Sequence, residues 1–207
     1  MKEIIKYMMK LLYYFQYLLT DLQLKRKVAT QQLMIVVGAS GVFEDGWIPT
    51  DIRNLNIVLD ANWQRYFKPD SINAILAEHV WEHLSPEEAA VAASNCYVYL
   101  KFGGYLRVAV PDGLHPSPEY IDRVKPGGSG AGADDHKVLY DYNSFSKVFS
   151  SAGFKVELLE YFDEHGEFHF IDWDYEVGMI ERSYRFDERN SGGSLTYTSI
   201  IIDAWKV

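Results

Sequence analysis

The sequence predicts one α/β domain, a doubly wound and mostly parallel sheet of about seven strands with a late antiparallel strand, behind an N-terminal helical extension. Three observations carry this. The run from Leu33 to Asp60, LMIVVGASGVFEDGWIPTDIRNLNIVLD, breaks into three short β-branched stretches that each end in a glycine or a carboxylate. Such endings mark ligand sites at the carboxyl ends of parallel strands. Beyond it, apolar strand-like runs alternate with helix signals, the order that builds a layered α/β sheet. Finally, 207 residues with 48% hydrophobic content fill one core and not two.

The elements follow in chain order. Residues 1–30 form the extension, and 31–207 the α/β domain. MKEIIKYMMKLLYYFQYLLTDLQLKRK is apolar on more than one helical face, through Ile4, Ile5, Met8, Met9, Leu11, Leu12, Phe15, Leu18 and Leu19. Its longest charge-free stretch, Leu11 to Thr20, is about half a bilayer span, and no small-residue cleavage site follows it. The expected role is packing on the domain, homodimer contact, or attachment to a membrane surface through its lysines. Leu33–Val37 reads as a central strand buried on both faces. Ile48–Ile52, Asn56–Leu59 and Ile72–Ala77 are the next three strands. Ser85-Pro86-Glu87-Glu88 opens a helix with Ser85 as N-cap, Pro86 at the first position and Glu88 closing a capping box. That helix ends near Leu100. A turn at Gly103-Gly104 leads into Tyr105–Val110. Gly113 to Asp135, with its prolines and GGSGAGADD, is expected to be a mobile loop long enough to be functional. A helix from Tyr142 to Ala152 stops at Gly153, and Phe154–Leu159 and Leu195–Lys206 supply the late strands.

Composition narrows the partners. The net charge is −9 and the basic residues cluster only at Lys25-Arg26-Lys27, so a nucleic-acid groove has little to build on. Cys96 is the sole cysteine, which leaves no disulfide framework and no CxxC metal motif. A cytoplasmic location, with possible membrane association through the extension, fits this pattern.

Four stretches resemble a known family: IVVGASGVFEDGWIPTDI, VLDANW, SINAILAEHVWEHLSPEEAAVAASNCYVYLKFGGYLRVAVPD, and HKVLYDYNSFSKVFSSAGFKV. Together with the closing IERSYRFDERNSGGSLTYTSIIIDAWKV, they make Leu33–Val207 similar to compact class I S-adenosylmethionine-dependent methyltransferases, whose fold is Rossmann-like. The resemblance implies S-adenosyl-L-methionine as cofactor. It places Gly38, assisted by Gly41, against the methionine part of that cofactor, where a side chain would fill the space. It sets Asp51 on the ribose hydroxyls, which a carboxylate can accept together. Asp60, followed by Ala61, falls at the adenine amino group, and Ala77, Glu78 and His79 border the sulfonium.

Methyl transfer from a sulfonium is an in-line displacement, so the protein chiefly positions the reactants and excludes water. A base is needed only for an acceptor that carries a tightly held proton. His79, leaving the fourth expected strand, is the candidate catalytic base. His115, His136 and Asp112 are candidate substrate contacts. The acceptor is expected to be a small molecule or saccharide, attacked at a hydroxyl, because five tryptophans and fifteen tyrosines suit the apolar faces of sugar rings. The compact relatives also point to polysaccharide biosynthesis. Three departures open a second reading: Val36 replaces an acid, Ser40 a glycine, and only Gly38 to Asp51 separates the first two strands. In that reading a degenerate scaffold acts through protein contacts without catalysis. A remote third reading uses His79-Val80-Trp81-Glu82-His83, an H-x-x-E-H zinc hydrolase pattern. The helix start at Ser85 argues against it, since the zinc geometry needs all five residues in one helix. His165, Glu167 and His169 alternate beside Asp172 and Asp174 and read as a solvated acidic segment. No metal is assigned.

Overall fold

The computed structural model describes residues 21–22, 24–29, 32–39 and 44–207. One seven-stranded sheet runs through it in the order β2-β1-β3-β4-β7-β5-β6, with β1 Met34–Val37, β2 Ile48–Pro49, β3 Ile72–Glu78, β4 Leu100–Pro111, β5 Lys155–Phe162, β6 Phe168–Phe170 and β7 Ser199–Trp205. β2, β1, β3 and β4 are mutually parallel. β7 is the expected late antiparallel strand, inserted between β4 and β5. The helices are α1 Asp60–Gln64, α2 Pro86–Tyr99, α3 Pro118–Val124 and α4 Tyr142–Ser151.

Period-two alternation distributes the strand residues between two cores. Ile35, Val37, Ile75, Ala77, Leu106, Val108, Ile200 and Ile202 meet α1, α2 and α4 in the larger one. Val36, Ala74, Leu76, Ala109 and Ile201 face the other side, which Trp47, Trp173 and Ile180 cover. Buried Arg107 fastens that cover. Its Nε and Nη2 each lie 2.8 Å from an Asp203 carboxylate oxygen, and its Nη1 donates to the carbonyls of Asp174 and Gly178.

Local signals hold at the helix ends. Ser85 and Glu88 form the expected capping box with Pro86 at the first turn, and Gly153 takes φ +105° just after α4, a conformation natural to glycine. Residues 21–22 and 24–29 are helical, with Leu24 in the larger core and buried Asp21 accepting from the Tyr66 hydroxyl and pairing with Lys25 and Arg65. Of residues 1–27, to which membrane or dimer contact is assigned, residues 1–20 and 23 lie outside the described residues.

Three expectations need correction. Asn56–Leu59 is not a strand. The Asn56 side chain accepts from Val58 N while its carbonyl accepts from Leu59 N, and Asn62 Oδ1 caps Asn56 N. Asparagine side chains thus satisfy the backbone locally and turn it into α1, and the sheet ends at β2, shorter than expected. Gly113–Asp135 is not a structureless loop: it holds α3, capped by Ser117, and a 3-10 turn at Ala133–Asp135. The seventh strand is instead β6, which pairs with β5 across a turn at 163–166. Asp163 caps that turn, accepting from the His165 and Glu167 amides and from His169 Nε2, so His165, Glu167 and His169, which alternate in sequence, are separated by a bend rather than laid along one strand.

Candidate functional site

Parallel strands end where their backbones part, and β1 and β3 do so at Gly38 and Glu78. Gly38 has φ +66°, and a Cβ there would lie 2.7 Å from Val80 Cγ2, so a side chain at this turn would be strained in its backbone and would have to displace Val80. Its neighbour Ala39 donates to Thr50 O, and Thr50 bonds back to Val36 O through both its amide and its hydroxyl. These bonds clamp the ends of β1 and β2 together and bring Asp51 beside them. Beyond Glu78 the chain reverses at His79, a non-glycine residue at φ +54° whose amide donates to Ala109 O.

A cavity of about 730 Å³ opens at these strand ends, within the range of small-molecule sites. Gly38 and Ala39 form one wall, Glu78, His79, Glu82 and His83 the floor, and Arg123, His136, Arg182, Arg189 and Tyr197 the opposite side. Glu78 is engaged in structure: it accepts from the amides of Glu181 and Arg182 and pairs with the Arg182 guanidinium at 3.3 Å. His79 Nε2 sits 3.1 Å from Ser199 Oγ. Because that hydroxyl donates to Arg182 O, it accepts from His79, which fixes a proton on Nε2. The other nitrogen, Nδ1, lies 3.0 Å from Glu82 Oε1.

Glu82 is the unusual group. Its side chain is 1% exposed, and neither carboxylate oxygen has a hydrogen-bond partner among the described residues, the His79 approach being close but poorly angled. A carboxylate in that state is costly unless something compensates it. Its charge reaches the neighbouring phenols. Burial pushes Tyr140 and Tyr197 up to about 12, with the Glu82 charge adding to both. Burial also raises Glu44, on the cavity wall. Arg189 is held over the Tyr197 ring at 3.5 Å by a two-point pair with Asp187.

Of the residues singled out from sequence, the cavity brings together Gly38, Glu78, His79 and His136. Asp51 sits at the end of β2 outside the lining, and its carboxylate accepts no hydrogen bond among the described residues. Ala77 is fully buried in the sheet. Asp60 opens α1 and accepts from Tyr99 and Gln64, with Ala61 exposed beside it. His115 stacks on Tyr120 with both ring nitrogens engaged, by Leu195 O and Ser117 N. Asp112 is fully buried and accepts from Leu114 N and Phe162 N. Burial pushes its carboxyl up to about 6. Gly41 and Ser40 lie outside the described residues. Sequence reasoning missed Glu44, Arg182 and Tyr197, brought in from loops, Arg189, from a 3-10 turn, and Arg123, from the last turn of α3. Glu82 was visible only inside the H-x-x-E-H pattern, and that pattern is not one helix: Trp81–His83 is a 3-10 turn and α2 starts at Pro86.

No protein-family model matches the sequence, and no curated protein matches it. Among solved structures, an S-adenosylmethionine-dependent methyltransferase from Mesorhizobium loti aligns at a TM-score of 0.50 and 8% identity, over 84% of this chain and 90% of that one. One from Archaeoglobus fulgidus covers 93% and 99% at 16% identity and a TM-score of 0.47. A possible histamine N-methyltransferase from Thermotoga maritima covers 98% and 97% at 15% identity and the same score. The strand order and the Mesorhizobium loti alignment give the chain the class I methyltransferase fold.

Proposed function

We propose that this protein transfers a methyl group from S-adenosyl-L-methionine to a small molecule or saccharide, at a hydroxyl. The observation that carries the reading is the cavity at the ends of β1 and β3, bordered by a glycine where any side chain would be strained and would crowd Val80. In this fold, ligands bind at the carboxyl ends of the strands where their order reverses, and β1 lies at that switch between β2 and β3. The fit of the cofactor is supported by two features. Gly38 leaves its backbone approachable on the cavity wall, and the Asp51 carboxylate, unengaged by the described protein groups, stands one residue beyond the Thr50 clamp on Ala39.

The cofactor, when bound, supplies an electrophilic methyl group. Gly38 and Ala39 would border its methionine part and Asp51 its ribose. The chain's own contribution is to orient the acceptor and exclude water. His79, on the cavity lining, is the base we assign; its Nε2 is held by Ser199 and its Nδ1 lies against Glu82. Arg123, Arg182 and Arg189 give the opposite wall guanidinium donors suited to acceptor oxygens.

Titration calorimetry with S-adenosylhomocysteine, with NAD as a control for generic nucleotide binding, tests the reading. Saturable binding of the former alone is expected. Asp51→Ala is expected to weaken it by about 1.5–3 kcal/mol, the cost of a charged hydrogen bond, without changing the melting temperature. Absence of binding at millimolar ligand would favour the degenerate, protein-binding scaffold instead.

A further inference from the structure

A buried carboxylate that accepts no hydrogen bond among the described residues, beside two imidazoles, is a donor set in search of a cation. We propose that Glu82, His83 and His136 bind a divalent first-row metal ion such as Zn²⁺, with one coordination position open to the cavity. One ligand atom from each of the three residues lies within 4.8 Å of the others, and all three residues line the cavity. Tetrahedral zinc, with bonds near 2.0–2.2 Å, sets its ligand atoms about 3.4 Å apart, so side-chain rotations of roughly 1 Å complete the triad.

The surroundings orient these ligands as metal sites require. His136 Nδ1 lies 2.7 Å from Val124 O. A carbonyl only accepts, so Nδ1 carries the proton and Nε2 keeps its lone pair for a metal. His83 Nδ1 is 2.7 Å from Asp135 Oδ1, in ion-pair contact though outside hydrogen-bonding angles. A carboxylate behind an imidazole is the commonest partner of a ligating histidine. The rings of His83 and His136 meet edge to face at 4.8 Å. The backbone fixes the encounter, since Lys137 N and Val138 N both donate to Glu82 O and set His136 over the 3-10 turn that carries Glu82 and His83. Two imidazoles and one carboxylate suit zinc and its neighbours better than magnesium or calcium.

Three protein ligands leave the fourth position for water or for an oxygen of the cavity's occupant. That a methyl acceptor's oxygen fills it rests on the methyl-transfer reading; the metal site does not. The second grouping of potential ligands, Asp163, Glu167 and His169, is a different case. Asp163 is already consumed by the β5-β6 turn, with His169 and two amides holding its carboxyl at about 2.

The test is calorimetric titration of the EDTA-stripped full chain with Zn²⁺, together with Co²⁺ loading read by visible absorption. The expected result is one equivalent bound and an intense tetrahedral cobalt spectrum. His136→Ala and Glu82→Gln should each weaken binding by at least about tenfold, and His169→Ala should leave it unchanged. Circular dichroism of the stripped variants separates lost ligands from lost fold. If His136→Ala does not fold, the cobalt spectrum of the wild type decides. No zinc binding, an octahedral cobalt spectrum, or loss in His169→Ala with retention in Glu82→Gln would overturn the site. S-adenosylhomocysteine titration of the stripped wild type is a separate reading, so the metal site and the methyl-transfer proposal can fail independently.

Discussion

Two buried glutamates show how differently the two halves of the sheet treat charge. Glu160, on the antiparallel side in β5, is 2% exposed, and each of its oxygens is used: Oε1 accepts from Trp173 Nε1 at 2.9 Å and Oε2 from Tyr184 N at 2.7 Å. Glu82, below the parallel strands, is as deeply buried and has no hydrogen bond at either oxygen among the described residues. The antiparallel half spends its buried polar groups on architecture. Arg107 and Asp203 pin the 174–178 segment, and Glu160 pins 173 and 184. The cavity half leaves an acid with only the His79 ring against it and no hydrogen bond among the described residues, and such groups concentrate where a ligand or ion completes them.

The largest expected effect tests the architectural half. Arg107→Ala removes one partner of a buried ion pair and strands Asp203, which should cost about 3–5 kcal/mol in urea denaturation. A loss below 1 kcal/mol would mean that the pair is not what anchors the cover of that face.

The next comes from Asp112, where β4 leaves the antiparallel half. Its carboxyl titrates at about 6 in the folded chain against an ordinary 3.8, so the native form binds the proton more tightly than the unfolded one. Stability contributed by the neutral acid is therefore present below about pH 4 and is lost as pH rises through 6, by at most about 3 kcal/mol. Measured as wild type minus Asp112→Asn, the stability difference should fall across that window. A flat difference would remove the burial penalty.

The smallest effect is the sharpest comparison. Glu160→Gln replaces one of two acceptor oxygens with a donor facing donors and should cost about 1–3 kcal/mol. Glu82→Gln, in metal-free protein, removes a buried charge without removing a hydrogen bond, and stability should stay within about 1 kcal/mol of wild type or rise. Equal losses in the two variants would erase the distinction between the halves.

The sequence by itself determined what is local. Strand cores at Leu33–Val37 and Ile72–Ala77 follow from runs of apolar residues, and α2 follows from Ser85, Pro86 and Glu88 meeting within one turn. Gly38 was singled out only through the resemblance, as a place of close approach, and its left-handed backbone came from the structure. Where local signals competed, the reading failed. Asn56–Leu59 has strand-forming side chains, yet its asparagines bond their own backbone, and Gly113–Asp135 looks disordered in composition while Ser117 caps a helix inside it. Only the tertiary structure decided which charges are paired. Arg107 and Asp203 are joined because β7 inserts beside β4, and His136 reaches Glu82 and His83 because residues 137–138 bond back to the Glu82 carbonyl. Contacts between residues so far apart in the chain are set by sheet order and burial, which no window of sequence contains.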